Sequence, residues 1–288
     1  MLRALNSFFS PTVAAWVIFT ATALASRPAL AQQQQLAQVP TRRVSALLFT
    51  ELGSNFYPWG SVDHQAYLSL FGVLGIRFNP EWRLSVLAPA SKNLSGLREF
   101  TLFDVALLVG YRPLPLGPYL LFMPQAGVVL PTSERSRKRE SLYFGARTVL
   151  RLMSNFSALP KLSWLSASYD LSLTKAFHEF ETATTGALNS EYRISQWINV
   201  SASPSDSPGN SWRLSVDLIR SSNLSYQGNL RHSFSITETV SYSLASGKMI
   251  SAGISNEGDV LRANGIDSNL AIFDPVSSRA FVSLMLPL

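Results

Sequence analysis

Nine charged side chains alternate with apolar neighbours along the chain, and they are the residues best suited to bind ions or charged solutes. A guanidinium group binds anions through a fork of N–H donors, while a carboxylate binds cations or pairs with an arginine. On one face of a sheet, such groups form a polar, net-positive path, or they pair with one another and fill that path. The nine side chains are Arg77, Arg83, Asp104, Arg147, Arg151, Asp170, Arg193, Arg213 and Asp217.

The histidines show no spacing that would support hydrolytic chemistry. A serine nucleophile needs a histidine base beside it, and on a strand a His-x-Ser spacing brings both side chains to one face. The residues two places after each histidine do not fit, as shown by His64 with Ala66, His178 with Phe180, and His232 with Phe234. His178 and Glu179 form the one adjacent acid–base pair, and the sequence has no metal-ligand set or phosphate-binding loop. We therefore predict no catalytic residues, no metal ligands and no cofactor.

Residues 231–245, which read RHSFSITETVSYSLA, show what kind of element carries the charged side chains. Ser or Thr occupies nearly every odd position of this stretch. Its even positions hold His232, Phe234, Ile236, Glu238, Val240, Tyr242 and Leu244. Successive side chains of a strand point to opposite faces, so the stretch predicts a strand with one apolar and one small polar face. A helix would mix the two sets, because its period is about 3.6 residues.

The same alternation recurs along the chain and predicts about twelve strands. Turn residues separate them, as at Asn79 and Pro80 and in the stretch 204–210, which reads PSDSPGN. The predicted strands are residues 44–51, 65–78, 81–88, 100–112, 119–130, 142–153, 162–176, 190–203, 211–220, 231–245, 248–256 and 280–288.

The first residues predict export from the cytoplasm. Arg3 precedes an uncharged apolar run at residues 13–24, and Ala29 and Ala31 occupy the positions that a signal peptidase recognises. This pattern predicts a cleaved Sec-type signal peptide over residues 1–31, because the apolar run is too short to span about 30 Å of hydrocarbon as a helix. The polar stretch 32–42 predicts a disordered tether, which leaves residues 43–288 for one domain.

Composition favours a membrane location for that domain. Hydrophobic residues make up 47% of the chain and charged residues only 15%, and the mean hydropathy is +0.14. The net charge of +6 falls to +4 when Arg3 and Arg27 leave with the signal peptide, which is too mild for a nucleic-acid partner. The chain has no cysteine, so it forms no disulfide and carries no lipid on cysteine. No apolar run after the signal reaches the roughly 18 residues of a membrane helix.

The connections and the last strand specify the kind of membrane protein. Predicted connections alternate between short and long, which is typical of outer-membrane β-barrels with short periplasmic turns and both termini on the periplasmic side. The last predicted strand carries Ala280, Val282, Leu284, Leu286 and Leu288 at alternate positions. This strand resembles the C-terminal β-signal of barrel clients, so we expect the barrel-assembly machinery, outer-membrane lipid and lipopolysaccharide as partners.

Aromatic residues near the predicted strand ends are consistent with the girdles of a barrel. They are Tyr57, Trp59, Trp82, Tyr111, Tyr119, Tyr143, Trp164, Tyr192 and Trp212. A large soluble sandwich is the alternative fold, but it rarely leaves one face of nearly every strand apolar. Lipid cannot hydrogen-bond a free strand edge, so a lipid-facing sheet must close. We predict an all-β, transmembrane, antiparallel up-and-down barrel of about twelve strands in a Gram-negative outer membrane.

One stretch carries a family resemblance. Asp104 lies early in a predicted strand, Tyr111 and Arg112 end it, and the next strand closes in Gly127, three apolar residues, Pro131 and Thr132. This arrangement resembles the outer-membrane barrels grouped with phenol meta-pathway transporters, which carry a similar pattern ending in Pro-Thr-Gly. Ser133 stands in place of that last glycine. The resemblance covers residues 103–133 and implies passage of hydrophobic or aromatic compounds.

The sequence thus predicts a passive channel or transporter for small solutes, either hydrophobic or aromatic compounds or anions drawn by a basic lumen. A structural or adhesive barrel with a plugged lumen is the main alternative, and a lipid-modifying barrel enzyme is a weaker one. The stretch 134–139, ERSRKR, is either a solvated loop or a site for lipopolysaccharide phosphates. Glu238 lies on an apolar face, which a bulge, a protein neighbour or a wrong face assignment would explain.

Overall fold

Antiparallel β-strands make up most of the described part of the chain. The computed structural model describes residues 43–58, 60–96, 99–154, 156, 159, 162–203, 211–260 and 277–288. The predicted signal peptide and tether lie outside these residues, as do Trp59 and the stretches 204–210 and 261–276. In the described ranges, no helix has the length and apolar character that crossing a membrane would require.

The strands are numbered in chain order. The first seven are β1 Val44–Asn55, β2 Ala66–Arg77, β3 Trp82–Asn93, β4 Phe100–Leu102, β5 Val105–Tyr111, β6 Leu114–Pro115 and β7 Leu120–Leu130. A π-helical turn, Arg135–Arg139, follows β7. The remaining strands are β8 Leu142–Ser154, β9 Leu165–His178, β10 Ser190–Ala202, β11 Ser211–Ser225, β12 Leu230–Ser243, β13 Met249–Asp259 and β14 Ser278–Pro287.

The sheet closes on itself as a barrel. Apart from the short segments β4, β5 and β6, each strand pairs antiparallel with its neighbours in the chain, and β1 pairs with both β2 and β14. Both β4 and β5 pair with β3, and β5 and β6 both pair with β7, so β4, β5 and β6 are segments of one interrupted strand. The barrel therefore has twelve strands, which confirms the predicted up-and-down topology and excludes the open-edged sandwich.

The register separates an apolar outer face from a polar inner face. Outward positions are well exposed, as with Trp212 at 52%, Ile250 at 48% and Val282 at 56%. On the other face, Ser241 and Ser251 are only 4% exposed. Because paired residues of neighbouring strands share a face, the registers from β9 to β14, which shift only between Ser190 and Tyr192, carry this division around the wall.

Two glycines allow large aromatic side chains to lie along the inner wall. The Tyr67 ring covers Gly53, which is its partner in the register, and the Phe281 ring covers Gly253 in the same way. Any side chain at either glycine would overlap the ring. Each ring therefore lies flat over the backbone of the neighbouring strand.

The predicted fourth strand, residues 100–112, is interrupted between β4 and β5. The Thr132 hydroxyl accepts from the Val105 backbone N–H at 3.0 Å and donates to the Phe103 carbonyl at 2.9 Å. Side-chain bonds thus replace the backbone ladder at the break. The partner strand β3 continues past its predicted end at residue 88. Pro89 has no backbone N–H to donate, but its carbonyl still accepts a hydrogen bond from the Phe103 N–H, so the pairing is kept.

The predicted loop at residues 221–230 was wrong. Strand β11 continues to Ser225, and only residues 226–229 connect it to β12. Gly228 has a φ of +81°, which glycine adopts at little cost, and the Ser225 N–H bonds the Asn229 carbonyl at 2.9 Å. A tight turn therefore replaces a long loop, so the predicted alternation of connection lengths fails at this hairpin.

Candidate functional site

The inner face of β8 and β9 carries a closed ion pair. Arg151 Nε lies 2.7 Å from Asp170 Oδ1, and its Nη2 lies 2.5 Å from Asp170 Oδ2. Asp170 is only 7% exposed. This two-point geometry satisfies both charges, as expected when an arginine meets a carboxylate away from bulk water. The pair therefore adds no net charge to the inner face.

Two other arginines keep their positive charge. Arg147 of β8 and Arg193 of β10 both pair in register with Thr174 of β9, so they flank it on the inner face. Arg147 Nε donates to Ser172 Oγ at 3.1 Å, and Arg193 Nε donates to Asn223 Oδ1 at 2.9 Å. Within the described ranges, neither guanidinium meets a carboxylate. We call Arg147 and Arg193 the basic row.

Asp217 of β11 is held by neutral donors on the same wall. The Trp197 indole Nε1 and the Asn199 amide Nδ2 each donate to Asp217 Oδ1 at 2.7 Å. Both donors are neutral, so they satisfy the carboxylate without cancelling its charge. Arg213 shares the inner face four residues earlier on the strand, nearer the end of the barrel that holds the chain termini.

Arg77 and Arg83 also lie near the end of the barrel that holds the termini. They face each other in the register of β2 and β3. The Arg83 guanidinium covers Gly75 and donates from Nη2 to Ser45 Oγ at 3.3 Å. A pair of neighbouring arginines therefore stands on the inner face of this end of the barrel.

Asp104 is placed differently from the other eight residues. It lies in the break between β4 and β5, where Oδ1 accepts from the Ser133 backbone N–H at 3.0 Å and Oδ2 from Ser136 Oγ at 2.5 Å. The carboxylate therefore ties the start of the 131–141 connection to the wall. Its role in the structure is to anchor a loop, which the alternating pattern did not indicate.

A cavity of about 690 Å³ opens at the end of the barrel opposite the termini, and we call it the loop-end cavity. Its wall carries a chain of contacts from β1 to β13. Tyr67 Oη donates to Glu51 Oε1 at 2.9 Å, and Arg279 Nη1 lies 2.9 Å from Glu257 Oε1. The Arg279 guanidinium also stands 5.5 Å from the centre of the Tyr67 ring. The cavity therefore brings two carboxylates, one guanidinium and one phenol together.

The sequence analysis missed this cluster because it predicted two strands that are too short at one end. Glu257 fell in a predicted loop, and Arg279 fell just before the last predicted strand. The alternation of Ser251, Gly253 and Ser255 continues into Glu257, and that of Phe281 and Ser283 extends back to Arg279. Extending each period by one residue pair would have placed both charges on the inner face.

The basic stretch 134–139 forms the π-helical turn beside Asp104. Arg135 Nε lies 2.6 Å from Glu140 Oε1. The ammonium of Lys138 lies 2.8 Å from Glu134 Oε1 and holds the pKa of Glu134 below its usual value. Arg137 and Arg139 form no ion pair within the described ranges. Half of the basic charge is thus internally paired and half is presented to the surroundings.

The structure brings two histidines to serines across neighbouring segments. Ser54 Oγ lies 3.0 Å from His64 Nε2, and Ser222 Oγ lies 2.8 Å from His232 Nδ1. A His-x-Ser search along one strand does not detect such pairs. Within the described ranges, His232 meets no carboxylate that would orient it as a base. In the same part of the chain, no three His, Asp or Glu side chains converge to hold a metal ion.

Glu238 lies on the outer face without a change of register. It pairs with Val216 on one side and Ile254 on the other, and both registers run unbroken through it. This excludes a bulge and a wrong face assignment. Glu238 is exposed, and no described residue forms a hydrogen bond or ion pair with its carboxylate. Among the described residues it meets no protein neighbour either, so none of the three explanations accounts for it.

Comparison with solved structures identifies the fold. An outer membrane channel from Pseudomonas putida F1 matches with a TM-score of 0.54 and 11% identity, over 87% of this chain and 97% of that one. LpxR from Salmonella typhimurium gives 0.43 and 9%, over 84% and 99%. The TodX monoaromatic hydrocarbon channel gives 0.41 and 10%, over 92% and 93%.

No protein-family model matches the chain, and no curated protein matches its sequence. The likeness to the Pseudomonas putida structure covers nearly the full length of both chains, at an identity that shows the fold alone. The chain therefore shares the fold of an outer-membrane β-barrel.

Proposed function

We propose that the protein is a passive outer-membrane channel for small solutes. The observation that carries this proposal is the closed twelve-stranded wall, apolar outside and polar inside. In lipid, closure satisfies every strand edge, and the apolar outer face takes the place of a buried core. In a plugged barrel that excludes water, polar groups on the inner face would cost free energy unless they bonded one another. Arg147, Arg193 and Asp217 keep their charges without an ionic partner in the described residues.

Aromatic pairs on the outer face support the membrane location. Trp82 and Tyr111 meet edge to face with ring centres 4.9 Å apart, and Trp212 and Tyr242 lie 4.8 Å apart. Both pairs stand near the end of the barrel that holds the termini. Tryptophan and tyrosine favour the boundary between hydrocarbon and headgroups. Because the periplasmic turns of such barrels are short and both chain termini lie at this end, we assign it to the periplasmic side, so the loop-end cavity faces outward from the cell.

The neighbour that shares the fold is itself an outer membrane channel. It supports the general function and leaves the solute open. For the solute we keep the sequence-based candidates, which are small hydrophobic or aromatic compounds and anions. The basic row and the arginines Arg77 and Arg83 support a lumen lined by the predicted charged residues. The lumen-lining role of these residues remains part of the proposal.

Single-channel recording tests the proposed function. Residues 32–288 are refolded in detergent, heat-modifiable gel migration establishes that the barrel has formed, and the protein is added to planar lipid bilayers. We expect steady current steps that grow with salt concentration. A folded barrel that inserts and carries no current would contradict the channel and favour a structural or adhesive barrel.

We also propose that the π-helical turn binds the phosphates of lipopolysaccharide. Arg137 and Arg139 supply its unpaired guanidinium groups. Replacing both with alanine should reduce the lipopolysaccharide that copurifies with the barrel. The matched control replaces Arg135 and Lys138, whose charges are already paired, and an equal loss there would contradict the proposal.

A further inference from the structure

The loop-end cavity has the opposite charge from the basic row. Its described lining includes the carboxylates Glu51, Glu99 and Glu257, while Arg279 is the single lysine or arginine among those lining residues. Arg279 neutralises Glu257 through their ion pair. The other two carboxylates meet no cation within the described ranges, so the described lining of the cavity is net negative. Around the ring of strands, β1 and β14 lie opposite β8, so the two charged regions occupy different walls.

The wall of this cavity already holds one cation. The Arg279 guanidinium is bonded to the Glu257 carboxylate and stands 5.5 Å from the centre of the Tyr67 ring. A cation between a carboxylate and an aromatic face is stabilised by both, since the ring face is electron-rich. The position of the Arg279 guanidinium therefore shows that this wall accepts a positive charge.

Glu51 offers a second anionic position with room for a ligand. Its Oε1 accepts from the Tyr67 hydroxyl, and a carboxylate has about four lone-pair sites, so most of its accepting capacity is unused. Tyr67 holds the carboxylate in place because its ring is fixed over Gly53. Phe103 and Phe281 line the same cavity and supply apolar surface. Its volume of about 690 Å³ is within the range of small-molecule sites.

From this geometry we propose that the loop-end cavity binds small organic cations, that is, a protonated amine on an apolar or aromatic body. Glu51 bonds the ammonium group, Glu257 cancels the Arg279 charge that would otherwise repel it, and the aromatic side chains contact the body. The inference rests on the proposed channel, because the solute reaches the cavity through the open end of the lumen. It names a solute class that the basic row alone would not suggest.

Equilibrium binding tests this site without requiring a current. The refolded chain in detergent micelles is titrated with benzylammonium, benzyl alcohol and benzoate, which share one ring and differ in charge. We expect benzylammonium to bind at least about tenfold more tightly than benzoate, because the ammonium gains a charge-assisted bond to Glu51 and the benzoate carboxylate is repelled by it. Glu51→Gln and Glu257→Gln should each weaken benzylammonium binding by about fivefold and leave benzyl alcohol unchanged.

Glu81→Gln is the matched control, because it removes the same charge from an exposed turn at the other end of the barrel. Equal affinity for benzylammonium and benzoate would overturn the proposal, as would an equal loss in Glu81→Gln. Unchanged binding in both cavity variants would overturn it too. A barrel that binds benzylammonium but carries no current refutes the channel and leaves the site standing. A conducting barrel that does not bind benzylammonium refutes the site alone.

Discussion

Glu238 shows how one residue can oppose the chemistry of its face. Val216 and Ile254 flank it in register, and the outward side chain has no partner among the described residues. A carboxylate facing hydrocarbon costs free energy, so Glu238→Leu should raise the free energy of unfolding by about 1–2 kcal/mol. Urea unfolding of the barrel in lipid vesicles measures this change, with Glu81→Leu in an exposed turn as the control. A loss of stability instead would mean that Glu238 meets a protein neighbour.

The basic row makes a prediction about ion selectivity. Arg147 and Arg193 lie on the inner face without an ionic partner among the described residues, whereas Arg151 is cancelled by Asp170. Arg147→Gln combined with Arg193→Gln should move the reversal potential in a salt gradient toward cation preference. Arg151→Gln combined with Asp170→Asn removes two side-chain charges that sum to zero, and should leave it unchanged. Equal shifts in both double variants would show that the basic row does not set selectivity.

At the scale of elements, Asp104 connects a strand break to a loop. Its carboxylate holds the Ser133 backbone and the Ser136 hydroxyl, and thereby anchors the π-helical turn. Asp104→Ala removes two charge-assisted bonds, so trypsin should cleave after Arg135 or Arg137 about tenfold faster or more. Asp63→Ala, an exposed side chain in another connection, is the control. Unchanged cleavage would mean that the turn is held by other contacts.

Strand ends were harder to predict than strands, and the reason is local. The predicted third strand ended at residue 88, just before Pro89. Strand β3 nevertheless continues, because the neighbouring segment bulges at Phe103 and does not need the backbone N–H that Pro89 lacks. Likewise the serine-rich stretch 221–225 resembled a loop, but it continues the inner and outer faces of β11. Period alone finds a strand, whereas its end depends on what the neighbouring strand supplies.

At the scale of the whole molecule, the alternation in the sequence predicts the face on which a side chain lies better than it predicts which side chains contact one another. The strand count and the inward side of eight charged residues follow from period two, because each strand divides its residues between two faces. Which charges cancel does not follow. Arg147 and Arg151 lie on one strand and have the same parity, yet only Arg151 finds a carboxylate, since pairing depends on the neighbouring strand's register. Likewise, the loop-end cavity forms where strands from both ends of the chain lie side by side, and alternation within one strand does not predict that.

That meeting of the chain ends makes the most direct prediction about the molecule. Thr50 of β1 pairs with Leu284 of β14, and Leu284 also pairs with Ile250 of β13. The chain has no cysteine, so Thr50→Cys with Leu284→Cys introduces one defined pair. In a closed barrel the neighbouring strands lie about 4.8 Å apart, and mild oxidation should link them. Gel migration after boiling, with and without reductant, reports the bond.

The control for this closure keeps one cysteine and moves the other by one strand. Thr50→Cys with Ile250→Cys places the thiols on strands that flank β14, about 9.6 Å apart, which is too far for a disulfide. A bond in the first pair and none in the second establishes that β1 and β14 are immediate neighbours. Because consecutive pairings already join all the other strands, that single contact decides between a closed wall and an open sheet. An open sheet would leave the first pair unlinked, and with it the proposed channel would have no enclosed lumen.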